Sequence, residues 1–339
     1  MGNSKRVLVL RCGALGDLVY STSVIDALRL EFGENVIIDY VTTPSSSKLF
    51  ENDARVNKIF HLKHKKVPII FSSQKKAVIK HSINNPYDIL INFEMGKQFK
   101  SLVKHIVAKK KVGWFSEDIK VPSKLNRGKQ QKYFFSSTVS KQNLEKSSPS
   151  ISTSKFIDIK DKFKLKNNYI VVSPSNSHVI KKVINYRAWE NSSWGELIDK
   201  LSKKNQIVIL GNKNEEKFFN LLKPYPKNVV DLVGKTNILE LCTVVKYAKA
   251  TICTDSAIGH ISAAVNTPVV VLMGPNSTIT DSPYATPFNK VYPLSLNLIC
   301  SPCYKTKRMK ACKDNICMKN ITPEMVINKL KINNLLLKD

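Results

Sequence analysis

Residues Thr254-Asp-Ser-Ala-Ile-Gly-His260 bring a carboxylate, a hydroxyl and an imidazole to the point where an apolar run gives way to small residues. A second apolar run, 268–272, follows. Strand, turn, helix and strand is the reading. In open α/β sheets, ligands bind at the carboxyl ends of strands, and a helix start offers unpaired N–H groups to phosphate. Asp255, Ser256 and His260 lie near this turn, and the chain is therefore expected to hold a phosphorylated ligand here.

The beginning of the chain makes a matching half. After the apolar run 6–10, Arg11-Cys-Gly-Ala-Leu-Gly-Asp17 forms a glycine turn, and an amphipathic helix is expected over 18–32. Gly13 and Gly16 permit positive φ and close backbone approach. Asp17 suits the start of the helix as a cap. The G-x-G-x-x-G spacing and its ribose-binding acid are missing, which disfavours a nicotinamide dehydrogenase. Cys12 has no evident base beside it, so a nucleophilic role is not expected. Lys97, Lys100 and Lys104 share one prospective helix face, which can meet anionic groups or simply face solvent. Cys300-x2-Cys303-x8-Cys312-x4-Cys317 has a pair spaced for structural zinc. The second pair is spaced too widely for a standard ribbon, so free thiols are favoured over zinc, and disulfides least. No Asp-x-Asp pair ends a strand, so no metal is demanded at a reaction centre.

Positioning these residues requires a scaffold of alternating strands and helices. Strands are expected at 6–10, 36–41, 56–61, 88–93 and 111–114, with helices such as 67–83 and 97–108 between them. That alternation predicts a parallel, doubly wound sheet. Residues 136–155, rich in Ser, Thr and Lys, read as a linker or mobile loop. A second series places strands at 169–173, 206–210, 229–231, 250–254 and 268–272. Ser193 and Glu196 suggest a capping box for a helix to Lys203, and Thr322-Pro323 a cap and first residue for a terminal helix to about Leu337. The expected division is 1–150, 151–321 and a terminal helix at 322–339.

A chain of 339 residues suggests two domains. It has no apolar run of about eighteen residues and no signal-like start, so a cytoplasmic protein is expected. Seven cysteines in that compartment read as reduced thiols or metal ligands. The net charge of +28 points to polyanionic partners, although a Lys-, Asn- and Ile-rich composition alone can produce it. Basic clusters lack interleaved aromatics, so nucleic acid is the weaker partner.

Taken together, the "GALGD" opening, "YDILINFE" at 87–94, "VVSPSNS" with "YRAW" up to Trp189, "LVGKTNILEL" at 232–241, the Asp255–His260 turn and the late cysteines resemble glycosyltransferase family 9. These are the heptosyltransferase-like enzymes of bacterial surface-glycan synthesis. The resemblance runs along nearly the whole chain. It implies two Rossmann-like doubly wound domains facing a cleft, the glycosyltransferase B fold, with the last helix packing back on the N-terminal domain. It implies Asp17 as catalytic base. It also implies a donor site built from Ser175, Asn176, Ser177, Arg187, Asp255, Ser256, Ala257 and His260, with Thr236 and Glu215 (or Glu216) near the nucleoside. Lys97 and Lys100 become candidate acceptor contacts. The implied reaction is metal-independent, inverting transfer from a nucleotide sugar, ADP-heptose first, onto an anionic glycolipid or oligosaccharide of lipopolysaccharide type. Peripheral association with the inner membrane face would follow from the charge. The family more often has Thr-Gly where Ser256-Ala257 stands, and often Asp where Asn92 stands. Two alternatives stay open: another nucleotide-sugar enzyme of the same fold, or a basic glycan-binding protein with a degenerate site.

Overall fold

The computed structural model describes residues 4–63, 72–116, 119–155, 157–179 and 184–336. The chain divides into two compact units, Met1–Ser152 and Thr153–Asp339. Each is built on one parallel sheet.

The first sheet contains β1 (Arg6–Leu10), β2 (Ile37–Thr42), β3 (Lys58–His61), β4 (Tyr87–Asn92) and β5 (Ala108–Gly113), in the order β3-β2-β1-β4-β5. Val7 to Leu10 are completely buried, as expected of a central strand covered on both faces. Lys109 and Lys110 are exposed on the edge strand β5, where charge discourages further strand pairing. The expected long helix after the glycine turn is two helices, Leu15–Ser21 and Ser23–Phe32. Ser21, Thr22 and Ser23 explain the break: their hydroxyls donate back to the carbonyls of Leu18, Val19 and Tyr20, at 2.7, 2.7 and 3.0 Å. Such back-bonding competes with the helical ladder. The helix expected at 67–83 is described from Ser73 to Asn84, and its first five predicted residues lie outside the described ones.

The stretch read as a linker is folded. Residues Ser136–Thr138 form a 3-10 turn and Lys141–Lys146 a helix capped by Ser140. Glu31 accepts from Ser140 N (2.8 Å) and Asn143 Nδ2 (2.7 Å), and Asp26 accepts from Ser148 N at 2.9 Å. Ser150 N donates to Thr22 Oγ1 at 3.0 Å, while Arg55 donates to the Ser150 side chain and carbonyl. Composition without large apolar residues suggested mobility; hydrogen bonds to two acids of the helix Ser23–Phe32 supply the order instead.

The second sheet contains β6 (Ile170–Ser173), β7 (Ile207–Ile209), β8 (Val229–Asp231), β9 (Ala250–Thr254), β10 (Val269–Leu272) and β11 (Val291–Leu294), in the order β11-β10-β9-β6-β7-β8. Strand β11 was not anticipated. It is an edge strand containing Pro293, the setting in which a sheet tolerates proline. Trp189 and Trp194 meet edge to face at 4.8 Å in the core of this unit. The helix Asn191–Ser202 begins after Glu190 without a side-chain cap, so the capping box expected from Ser193 and Glu196 does not form. Thr322 does cap the terminal helix Pro323–Ile332. Val326 and Leu330 of that helix are fully buried in the second unit's core, and Trp189 Nε1 donates to Ile321 O at 2.8 Å.

Candidate functional site

Strand order locates the sites. In the first sheet the chain winds outward in one direction from β1 and in the other from β4, so their carboxyl ends flank the crevice where open α/β sheets bind ligands. In the second sheet the same reversal falls between β6 and β9. The glycine turn follows β1, and the Ser175 and Asp255 loops follow β6 and β9.

In the first unit, Arg11 organises the turn. Its Nη1 donates to Phe93 O (3.1 Å) and to Glu94 Oε1 (3.3 Å), and its Nη2 pairs with Asp17 Oδ1 at 3.4 Å. The same Glu94 oxygen accepts the Cys12 N–H at 2.8 Å. One half-buried guanidinium thus carries two carboxylates, one from each switch-point loop. Asp17 is the third residue of the helix Leu15–Ser21, and its side chain is 46% exposed. Gly13 is not among the positive-φ glycines of the described residues; its need is space, since a Cβ there would lie 3.0 Å from Arg11 Cζ. Gly16 is an ordinary helical residue. Burial, reinforced by Glu94, pushes the Cys12 thiol well up, which keeps it protonated and unreactive. Asn92, fully buried, donates to Glu94 O (3.2 Å) and Trp114 O (2.7 Å), and accepts from Glu94 N. Lys97, Lys100 and Lys104 are exposed on the helix Lys97–His105, opposite buried Phe99, Leu102 and Val103.

In the second unit, Arg187 is the hub. Its Nη1 donates to Asp255 O (2.9 Å) and to Asp255 Oδ2 (3.0 Å), and its Nη2 to Ser177 Oγ at 3.1 Å. It therefore ties the β6 loop to the β9 loop. Its Nε is buried with no hydrogen-bond partner among the described residues, and so is Ser256 Oγ. Donors left this way at a strand-end crevice are what an anionic ligand would satisfy. Asp255 is the ion-pair partner of Arg187. Ser175 and Asn176 are buried. Ser175 Oγ donates to Glu215 Oε2 (2.7 Å), which also accepts Asn212 N (2.9 Å), so Glu215 braces the loops after β6 and β7. Ser256 occupies the cap position of the helix Ala257–Ala264 without capping it. Ala257 opens that helix, a conformation any Cβ tolerates. A Cβ on Gly259 would meet Cys253 Sγ and Pro283 Cγ, both at 3.3 Å, so this glycine lets the helix lie close against the sheet. His260 is half-buried one turn further on. Thr236, half-buried, follows Gly234, whose φ of +69° and close approach to Lys213 bring the β8 and β7 loops together.

Two residues that the motifs did not point to complete this site. Tyr304 lies over Arg187, ring centroid to Cζ 5.4 Å, and its hydroxyl is 3.3 Å from His178 Nε2. The sequence around Tyr304 drew attention only for its cysteines. Those are free thiols, and among the described residues no three metal-ligating side chains converge as a metal site would require. Burial pushes the Cys317 thiol up to about 11, with further upward contributions from the neighbouring Cys303, Cys300 and Cys312.

The sequence model of glycosyltransferase family 9 (heptosyltransferase) matches residues 77–313. Lipooligosaccharide heptosyltransferase 2 of Campylobacter jejuni (serotype O:6) is 28% identical over 188 residues, 52% of this chain and 58% of that protein. The chain thus spans just over half the length of that relative. Among solved structures, a family 9 glycosyl transferase from Veillonella parvula superposes with a TM-score of 0.81 at 17% identity, covering 100% of this chain and 99% of the other. The E. coli ADP-heptose lps heptosyltransferase II gives 0.76 at 19% identity, covering 97% and 98%. These superpositions show the fold: two parallel-sheet α/β domains.

Proposed function

The chain belongs to glycosyltransferase family 9 (heptosyltransferase), and from that membership we propose that it transfers a heptose from ADP-heptose to a lipopolysaccharide-type acceptor. The observation that carries the donor half is Arg187, which joins the loops after β6 and β9 while keeping Nε unpartnered. In this reading the diphosphate lies against Arg187, Ser177, Ser256 and the first N–H groups of the helix Ala257–Ala264. Thr236 and the Glu215 loop face the nucleoside. An acceptor hydroxyl then attacks the anomeric carbon from the side opposite the diphosphate. A new C–O bond forms as the bond to the phosphate oxygen breaks, inverting the centre, and the proton passes to Asp17. A carboxylate with an ordinary pKa of about 3.9 is a weak base, so it takes that proton late, once bond formation has acidified the hydroxyl. Arg11 holds this carboxylate in place. The reading needs no metal, because Arg187 and a helix start face the departing charge. Lys97 and Lys100 would meet anionic groups of the acceptor.

The enclosing membrane surface enters the proposal through charge. No helix among the described residues is long and apolar enough to cross a membrane, and the net charge of +28 suits an anionic inner-membrane face.

The test is a thermal-shift panel of ADP-, UDP-, GDP- and CMP-sugars on the wild-type chain and Arg187→Ala. A ligand at a hundred times its dissociation constant stabilises by about 2.7 kcal/mol. A selective ADP-sugar shift that Arg187→Ala abolishes is expected. A shift with a different nucleotide changes the donor, and no shift with any of them refutes the donor site. Asp17→Asn should retain donor binding and lose about a hundredfold or more in kcat.

A further inference from the structure

Arg187 faces the diphosphate together with the start of the helix Ala257–Ala264, and Asp255 Oδ2 at 3.0 Å offsets part of its charge. Resting on the donor-site reading above, we propose that Lys305 is the second cation of that site, delivered to the diphosphate by the ring of Tyr304. Three observations converge on this corner. Lys305 Nζ lies 5.4 Å from the Tyr304 ring centroid, as Arg187 Cζ does, so one aromatic ring carries both cations. Aromatic faces attract cations through their quadrupole without neutralising their charge. Lys305 pairs with no carboxylate among the described residues and is exposed, so unlike Arg187 its charge is uncompensated. Its backbone stands at φ +63°, a left-handed conformation that a lysine adopts only when its surroundings impose it.

The surroundings that impose it are identifiable. Cys303 N and Tyr304 N both donate to Pro275 O at 2.9 Å, and Ser301 Oγ donates to Gly274 O at 2.9 Å. The segment is thereby fastened to the chain leaving the carboxyl end of β10, next to β9 in the sheet. The Tyr304 hydroxyl reaches His178 in the β6 loop. The corner is held on the β10 side and on the β6 side, with Arg187 between its ring and Asp255. An anion drawn to this corner thus meets one cation paired with Asp255 and one with no carboxylate partner among the described residues.

The experiment is calorimetric titration of ADP and of adenosine into the full chain at low and high salt, using the wild type, Lys305→Gln, Lys305→Arg and Tyr304→Leu. ADP should bind about tenfold more weakly to Lys305→Gln, with a shallower salt dependence, while adenosine binding stays as in the wild type. Lys305→Arg should restore most of the ADP affinity, and Tyr304→Leu should resemble Lys305→Gln. Retained adenosine binding shows that each variant is folded. If Lys305→Gln binds ADP with wild-type affinity and salt dependence while Arg187→Ala does not, the donor site stands and the role of Lys305 is refuted. If the wild-type chain binds no ADP, the donor-site reading fails and the proposal falls with it.

Discussion

Asn92 shows why a single side chain at the end of a strand can decide the shape of a site. Its amide donates two hydrogen bonds, to Glu94 O and Trp114 O, while its oxygen accepts Glu94 N. A carboxylate could accept but not donate, so an Asp here would take the donors away from the Glu94 and Trp114 carbonyls and place a charge at a fully buried position. Asn92→Asp should therefore destabilise the chain by about 2–4 kcal/mol at neutral pH, read from the midpoint of denaturant unfolding. An unchanged midpoint would mean that the loop rearranges around the acid. That Asp17, Arg187 and Asp255 lie in the segments that follow strand ends was largely legible in the sequence, because they belong to motifs whose order carries information. Their partners were not. Glu94 ends a motif but gives no hint that it accepts from Arg11 and Cys12, and Tyr304 comes near Arg187 only through a crossover no local pattern encodes.

Strands declared themselves better than helices. Central strands are buried on both faces and read as unbroken apolar runs, whereas β11 is a partly exposed edge containing a proline, which no period reveals. The misread linker has a different cause: its order comes from polar contacts, and hydrophobic patterning does not register those. Asp53 and Arg55 anchor the far end of that segment. Arg55 Nε and Nη2 donate to the two Asp53 oxygens at 2.8 and 2.7 Å, and Arg55 also holds Ser150. Burial alone would raise the Asp53 pKa, yet the Arg55 guanidinium outweighs it and holds the carboxyl below its ordinary value. A carboxyl whose pKa is depressed by folding contributes stability above its unfolded pKa, and that contribution is lost as pH falls through the folded-state pKa. Asp53→Asn should cost about 2 kcal/mol at pH 7, a figure discounted because Arg55 is partly exposed. The gap between variant and wild type should begin to narrow below about pH 4 and close below the folded-state pKa, so a gap that stays constant as acid is added would contradict the assignment.

At the scale of the whole molecule, the net charge of +28 is the property most exposed to its surroundings. Much of it is carried by lysines such as Lys97, Lys100 and Lys104, exposed on one helix. Attraction between exposed charges is screened over about 8–10 Å at physiological ionic strength. The KM for an anionic acceptor should therefore rise several-fold between low and high salt while the kcat barely moves. A salt-independent KM would assign the charge to composition alone. The distribution of tryptophans has an optical consequence. Only three exist: Trp114 lies in the first unit, and Trp189 and Trp194 form the edge-to-face pair buried in the second. Replacing Trp114 by Phe makes the intrinsic fluorescence a report on the second unit alone, and replacing the other two reserves it for the first. The melting of each half can then be followed separately in the intact chain, with no label attached, and coincident or staggered emission changes would tell whether the halves unfold as one cooperative body or as two.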